Sequence, residues 1–229
     1  MRVILLSPYP ERLAPAVERG GDSWTAKTEP LTDQEADWFV SFGYRHIIRE
    51  PHLSRLAGRL INIHISVLPW NRGADPNFWS WFDRTPKGVS IHHIDAGIDT
   101  GPLIAQQEIM LDERDHTLRT SYDVLMRFAV GLFDVTWPAI RNGWSETIPR
   151  RDIGTLHRVK DALPYWASLP LKHDTPCSEV ADMGREHHCG NISVTVRDEV
   201  STPPNLRDVL SPLRKAEAGP PASGPRRTL

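Results

Sequence analysis

The chain has 229 residues, of which 39% are hydrophobic and 24% charged, enough for one sizeable core and not comfortably for two full domains. Lys and Arg number 27 against 29 Asp and Glu, and the net charge of -2 excludes recruitment of nucleic acid by bulk charge. Two cysteines, Cys177 and Cys189, exclude a disulfide framework, and no apolar stretch is long enough for a signal-peptide core or a membrane span, so a cytoplasmic location is expected.

In chain order, Val3 to Leu6 is a continuous apolar run and reads as a first buried strand, ended by Pro8 and Pro10. "ERLAPAVERGG" reads as a short helix stopped by Gly20 and Gly21. A second buried strand runs from Trp38 to Ser41, and the chain between the two strands is short enough to lack a full strand–helix pair. "PHLSRLAGR" is helix-like and leads into a third strand, Leu60 to Ile65. "GADPNFWSWFDR" reads as a helix with Asp75 as N-cap and Pro76 in the first helical position. "KGVSIHHID" and "GPLIAQQEIML" are the fourth and fifth strands. In "HTLRTSYDVLMRFAVGLFDVTWPAIRNG", Leu118, Tyr122, Leu125, Phe128, Ala129 and Leu132 recur at helical spacing, and Asn142-Gly143 ends the helix.

Strands alternating with helices predict an α/β fold: an open, mostly parallel, Rossmann-like sheet with helices on both faces, over residues 1–148. Beyond Arg150 the period weakens. Residues 149–210 are expected to form a small C-terminal extension of β-hairpin type, with "ISVTVRD" as a strand, and the Pro/Gly/Ala/Arg-rich residues 211–229 a disordered tail.

On a strand, residues two apart share a face, so Asn62 and His64 in "INIHISVLPW" project together near the carboxyl end, where open α/β sheets build their sites. Ser66 continues that face. Gly97 and Gly101 in "IDAGIDTGP" bracket Asp99, so the neighbouring strand's loop can deliver a carboxylate beside the pair. An Asn offers an N–H to a developing oxyanion, and a His can donate to the same oxygen or shuttle a proton. The Asp can orient the His, keep it cationic, or accept the nucleophile's proton through a water. No Ser or Cys nucleophile stands in the set, which suits direct acyl transfer to an incoming amine. Taken singly, these residues read as hydrogen-bonded core or turn positions; the combination points to chemistry.

"NIHISVLPWNRGADP" followed by "KGVSIHHIDAGIDTGPLIAQQEI" closely resembles the folate-dependent formyltransferases: the glycinamide ribonucleotide, methionyl-tRNA and sugar N-formyltransferases. The resemblance runs from about Val40 to Gln107 and implies that Asn62, His64 and Asp99 are catalytic and that 10-formyltetrahydrofolate is the formyl donor. It places Phe42, Gly43 and Tyr44, with the loop of Ile94, Asp95, Ala96 and Gly97, around the folate, and Ser66, Arg72, Gly73 and Ala74 beside the acceptor. "SPYPERL" replaces the glycine-rich phosphate loop that the purine-pathway enzyme needs, and the C-terminal third is short and polar for a methionyl-tRNA enzyme. A nucleotide-linked 4-amino sugar is therefore the acceptor implied. "RRDIGTLHRVKD" resembles a segment of small sugar N-formyltransferases where a hairpin helps dimerisation, which implies a homodimer. The alternatives are a methionyl-tRNA formyltransferase-like enzyme, a formyltetrahydrofolate hydrolase and a non-catalytic folate-binding relative.

His173, Cys177, His187, His188 and Cys189 suggest zinc, but the cysteines are twelve apart without a CxxC, and no metal is assigned. His92 and His93 alternate across their strand, one toward the core or cleft and one away; neither needs a metal. Trp70, Trp79 and Trp81 read as packing residues rather than a stacking platform.

Overall fold

The apolar run at the amino terminus is strand β1, Arg2–Leu6, in a computed structural model that describes residues 1–144, 146–149 and 154–189. Helix α1 (Pro10–Arg19) leads to β2 (Ser23–Lys27), and β3 is Trp38–Phe42. The short helix α2 (His52–Arg55) precedes β4 (Leu60–His64), and β5 (Arg72–Gly73) precedes α3 (Pro76–Phe82). Strands β6 (Gly88–His93) and β7 (Leu103–Glu108) follow, then the long helix α4 (Leu118–Arg141). The extension supplies β8 (Leu156–His157), α5 (Val159–Ser168) and α6 (Cys177–Cys189).

Six strands form one sheet in the order β2-β1-β3-β4-β6-β7. Pairs β1–β2, β1–β3 and β3–β4 are parallel, while β6 runs antiparallel to both β4 and β7, so the sheet is mostly parallel with one reversed strand. Val3, Leu5, Val40, Ile61 and Ile63 face α1 and α4, where Leu13, Val17, Leu125, Ala129, Phe133 and Trp137 close the main core. Ile4, Leu6, Phe39 and Leu60 point the other way, onto Leu31, Ile48 and Leu56. Phe128, read as part of the buried stripe, is 38% exposed. Thr117 and Thr120 form a reciprocal capping box at the start of α4. At its other end Arg141 donates both Nε and a terminal nitrogen to the buried carboxylate of Asp22 at 2.7 Å, tying α4 to the turn before β2.

Three expectations change. The stretch between the first two long strands carries a full helix and a strand, α1 and β2; what it lacks is a helix in residues 28–37. β2 escaped notice because "SWTAK" is a largely exposed edge strand with little apolar signal. Asp75 does occupy the N-cap of α3 with Pro76 next, but its side chain makes no cap hydrogen bond and its φ is 51°, left-handed. The described part of the extension is mainly helical. Its Ala162, Leu169, Cys177 and Val180 bury Phe78, Trp79, Trp81 and Phe82 of α3. Weak periodicity hid these helices because their apolar residues pack on one short aromatic helix rather than on the sheet. "ISVTVRD", the tail 211–229, and residues 150–153 of the proposed dimerisation segment lie outside the described residues.

Candidate active site

Alternation on β4 puts Ile61 and Ile63 into the main core and turns Asn62 and His64 to the opposite side of the sheet. Across the antiparallel pair, Asn62 faces His92 and His64 faces Ser90, so β6 adds a second histidine to the same face. Because β6 is reversed, its end lies beside Ile61, the start of β4. The loop bearing Asp99 therefore begins at the far end of β4 from where the sequence reading put it, and folds back over the strand. Its base is pinched where the His93 N–H donates to the Pro102 carbonyl at 2.9 Å. Gly101 belongs at that pinch because a Cβ would overlap the His93 carbonyl.

The loop brings Asp99 to the pair. Asn62 Nδ2 donates to Asp99 Oδ1 at 3.2 Å and lies 3.2 Å from His92 Nε2. Asp99 Oδ1 is 3.4 Å from His92 Nε2, and Oδ2 is 3.7 Å from His64 Nδ1. The Gly73 amide donates to Oδ2 at 2.8 Å. Burial would raise the Asp99 carboxyl, but the charge at His64, the hydrogen bond and charge of His92, and the Gly73 amide outweigh it and hold it well below the usual carboxylate range. The site thus keeps a carboxylate at neutral pH, with an amide donor and two imidazoles converging on it. On its other side, His64 meets the Asn71 carbonyl, 2.9 Å from Nε2.

The remaining expected site residues divide. Phe42 is buried and meets Tyr9 edge-on with ring centroids 6.3 Å apart; the Tyr9 ring also lies over Gly43, and Tyr44 donates its hydroxyl to the Glu29 carbonyl at 2.6 Å. Tyr44 and Ile94 border the same apolar cluster, whereas Phe42 belongs to the main core on the other face of the sheet. Asp95 spends its carboxylate on its own loop, accepting from the Gly97 amide at 3.1 Å and the Thr100 hydroxyl at 2.6 Å, and Ala96 and Gly97 are exposed. Gly73 contacts Asp99 directly, and Arg72 and Ala74 flank it in the strand pairing β5–β8, where the Ala74 amide donates to the His157 carbonyl at 2.9 Å. At φ 88° and with His157's carbonyl where a Cβ would stand, position 73 requires glycine. Ser66 is 1% exposed and its hydroxyl donates to the Trp70 carbonyl at 2.7 Å, so it shapes the turn instead of facing an acceptor.

The sequence shows that one of His92 and His93 faces the core or cleft but not which; it is His92, on the face of Asn62. Sequence reasoning missed Asn71, whose carbonyl backs His64, and Thr85 and Thr155, which hold Asn71 and are described below. Trp79 and Trp81 are buried in the α3 core, as packing residues should be. Cys177 is in that core too, its thiol pushed up to about 11 by burial and 3.7 Å from the Ser121 hydroxyl, while His187 and His188 lie against Phe82. A cavity of about 420 Å³ beside α3 is lined by Trp81, Arg84, Lys87, Leu111, Asp112, Glu113 and Arg114 and shares no residue with the Asn62–His64–Asp99 set. Its charges meet each other: Arg84 lies 3.6 Å from Glu113 and Arg114 2.6 Å from Asp112.

Residues 16–131 match the family model described as formyl transferase. The structure is similar to that of the formyltransferase PseJ from Anoxybacillus kamchatkensis in complex with UDP-4,6-dideoxy-4-formamido-L-AltNAc and tetrahydrofolate. That match has 39% identity and a TM-score of 0.75 and covers 80% of this chain and all of that one. A 4-N formyltransferase from Francisella tularensis, 18% identical, shares the fold at a TM-score of 0.62, covering 72% of this chain and 79% of that one. Phosphoribosylglycinamide formyltransferase from Bacillus subtilis is 39% identical over 94 residues, 40% of this chain and 47% of that protein. Methionyl-tRNA formyltransferase from Staphylococcus aureus is 29% identical over 131 residues, 57% of this chain and 42% of that protein. The chain thus spans less than half the length of these two relatives.

Proposed function

This chain belongs to the formyl transferase family, and within it we propose an N-formyltransferase that moves a formyl group from 10-formyltetrahydrofolate to the amine of a nucleotide-linked 4-amino sugar. The observation that carries this reading is the match over the full length of PseJ, whose complex holds a UDP-linked 4-formamido sugar beside tetrahydrofolate. The absence of a glycine-rich turn in "SPYPERL" weighs against the phosphoribosylglycinamide acceptor, and the net charge of -2 weighs against tRNA.

The residues present fit a folate. Tyr44 and Ile94 border one apolar cluster, and the small, exposed Ala96 and Gly97 leave backbone groups open to a flat heteroaromatic ring. When bound, the folate supplies an activated formyl group. The Asn62 amide is the donor for the oxygen on which negative charge develops as the amine adds. His64 keeps the proton at Nε2 that meets the Asn71 carbonyl and exchanges a proton at Nδ1, the nitrogen facing Asp99 at 3.7 Å. Asp99, ionised and beside both groups, assists the transfer of the proton that the amine sheds. Buried walls behind Asn62 and His64, formed by Ile61 and Ile63, keep water from that side.

The test mixes the protein with 10-formyltetrahydrofolate and a panel of UDP- and dTDP-linked 4-amino and 3-amino sugars, and follows tetrahydrofolate release by absorbance. Turnover with a 4-amino sugar is expected. Release with phosphoribosylglycinamide alone, or with no amine present, would replace this reading.

A further inference from the structure

His64 is held from behind by a part of the chain 84 residues beyond the loop it supports. Asn71 is fully buried, and its four polar atoms all have partners. Its carbonyl accepts from His64 Nε2 at 2.9 Å, its amide N–H donates to Thr155 Oγ1 at 2.8 Å, and its Nδ2 donates to Thr85 Oγ1 at 2.7 Å. The Thr155 hydroxyl in turn donates to Asn71 Oδ1 at 3.2 Å, closing a two-bond ring. One residue on, the Arg72 amide donates to the Thr155 carbonyl at 3.1 Å, and β5 pairs with β8. Asn71 has φ 54°, a left-handed conformation that asparagine tolerates better than most residues and that glycine would adopt without penalty. A turn alone would therefore be served by glycine; the side chain is used for the ring with Thr155 and Thr85.

We propose that Asn71 and Thr155 are positioning residues that fix the ring orientation and tautomer of His64. The inference rests on the formyl-transfer reading for its kinetic consequence, but its structural content stands apart from it. A backbone carbonyl is an acceptor only, so the nitrogen facing it keeps its proton, and Nδ1 is left as the atom that exchanges a proton next to Asp99. That carbonyl is aimed by a backbone in a rare conformation, and the hydroxyl of Thr155 holds both the amide and the side chain of the same residue. Without the hydroxyl, two buried polar groups of Asn71 lose their partner, and the cheapest relief is a shift of the 70–73 backbone that moves the carbonyl off His64.

The experiment uses the full chain and two substitutions. Thr155→Val keeps the shape and removes the hydroxyl; Thr155→Ser keeps the hydroxyl. We expect kcat of the valine variant to fall about 10–100-fold, the range seen when an outer partner of a working histidine is lost, with KM for either substrate within about threefold. The serine variant should recover to within about threefold of the parent. Nitrogen-15 spectra of histidine-labelled protein should show His64 as the Nε2–H form in the parent and a mixture in the valine variant. That spectrum also separates this proposal from the functional reading, since it is informative even if no amine is ever formylated. Should the valine variant not fold, Asn71→Gly, suited to φ 54°, takes its place with the same spectral expectation. A valine or glycine variant with the parent's His64 spectrum overturns the proposal, whatever its turnover. So does a loss of kcat that the serine variant shares in full.

Discussion

Asp99 and Asp83 each sit between two histidines at similar distances. Asp99 has His64 at 3.7 Å and His92 at 3.4 Å; Asp83, just past α3, has His157 at 2.9 Å and His188 at 3.4 Å. The surroundings differ. Asp99 lies on a folded-back loop at φ 50°, with the amide of Asn62 and the backbone N–H of Gly73 directed at it. Asp83 joins α3 to β8 and α6, and its partner His157 is stacked flat on Trp79 with ring centroids 3.9 Å apart. At 2.9 Å the Asp83–His157 pair is a close contact without aligned hydrogen-bond geometry. A carboxylate between two imidazoles is thus no signature by itself. What distinguishes the first set is the pair of donors, the Asn62 side-chain amide and the Gly73 N–H, aimed at its carboxylate.

The comparison breaks most sharply on turnover. Asp99→Asn and His64→Ala should each lower kcat by about 10²–10⁴-fold, the usual range for a positioned acid or base, while Asp83→Asn stays within about threefold of the parent. Equal losses in all three variants, measured with a common donor and acceptor, would erase the distinction between the two sets. Stability should answer in the opposite sense. Losing the Asp83 side-chain contacts to one helix and one strand should cost about 1–3 kcal/mol and lower the melting temperature by roughly 5 °C in a chain of this size. An Asp83→Asn melt that superimposes on the parent's would show the cluster to be incidental.

The smallest effect is in acid. The Asp99 carboxyl is held below its ordinary value, so the unfolded chain takes up its proton at about pH 4 while the folded one does not. Its contribution to stability is complete above that pH and is lost as the pH falls through the lowered folded value. The difference in melting temperature between the parent and Asp99→Asn should therefore narrow between pH 6 and pH 3. A gap that stays constant would mean that Asp99 is not held in ionised form by its neighbours.

How much of this was legible beforehand follows from the reach of each signal. Strands β1, β3, β4, β6 and β7 and helix α4 show themselves because their residues are buried by the sheet they build, and periodicity records that burial. The triad was legible because Asn62 and His64 are two apart on one strand and Asp99 sits between glycines. The direction of β6 was not, since alternation is the same in a parallel and an antiparallel strand. β2 was lost to its exposed edge, and α5 and α6 to a satellite core whose partner, α3, lies far away in the chain. Thr155 carried no sign at all: a lone threonine in a polar stretch acquires meaning only when its hydroxyl meets Asn71.

Strand β8 has one more consequence, and it concerns time. The sheet and α4 are complete once residue 141 has been made, yet the loop that supports His64 gains its β8 partner only sixteen residues later, at His157. During synthesis the chain therefore passes through a stage at which the sheet can assemble, since domains fold as they emerge, while Asn71 still awaits Thr155. Among the described residues β8 is the last strand to be made, so the support of His64 is completed after the sheet.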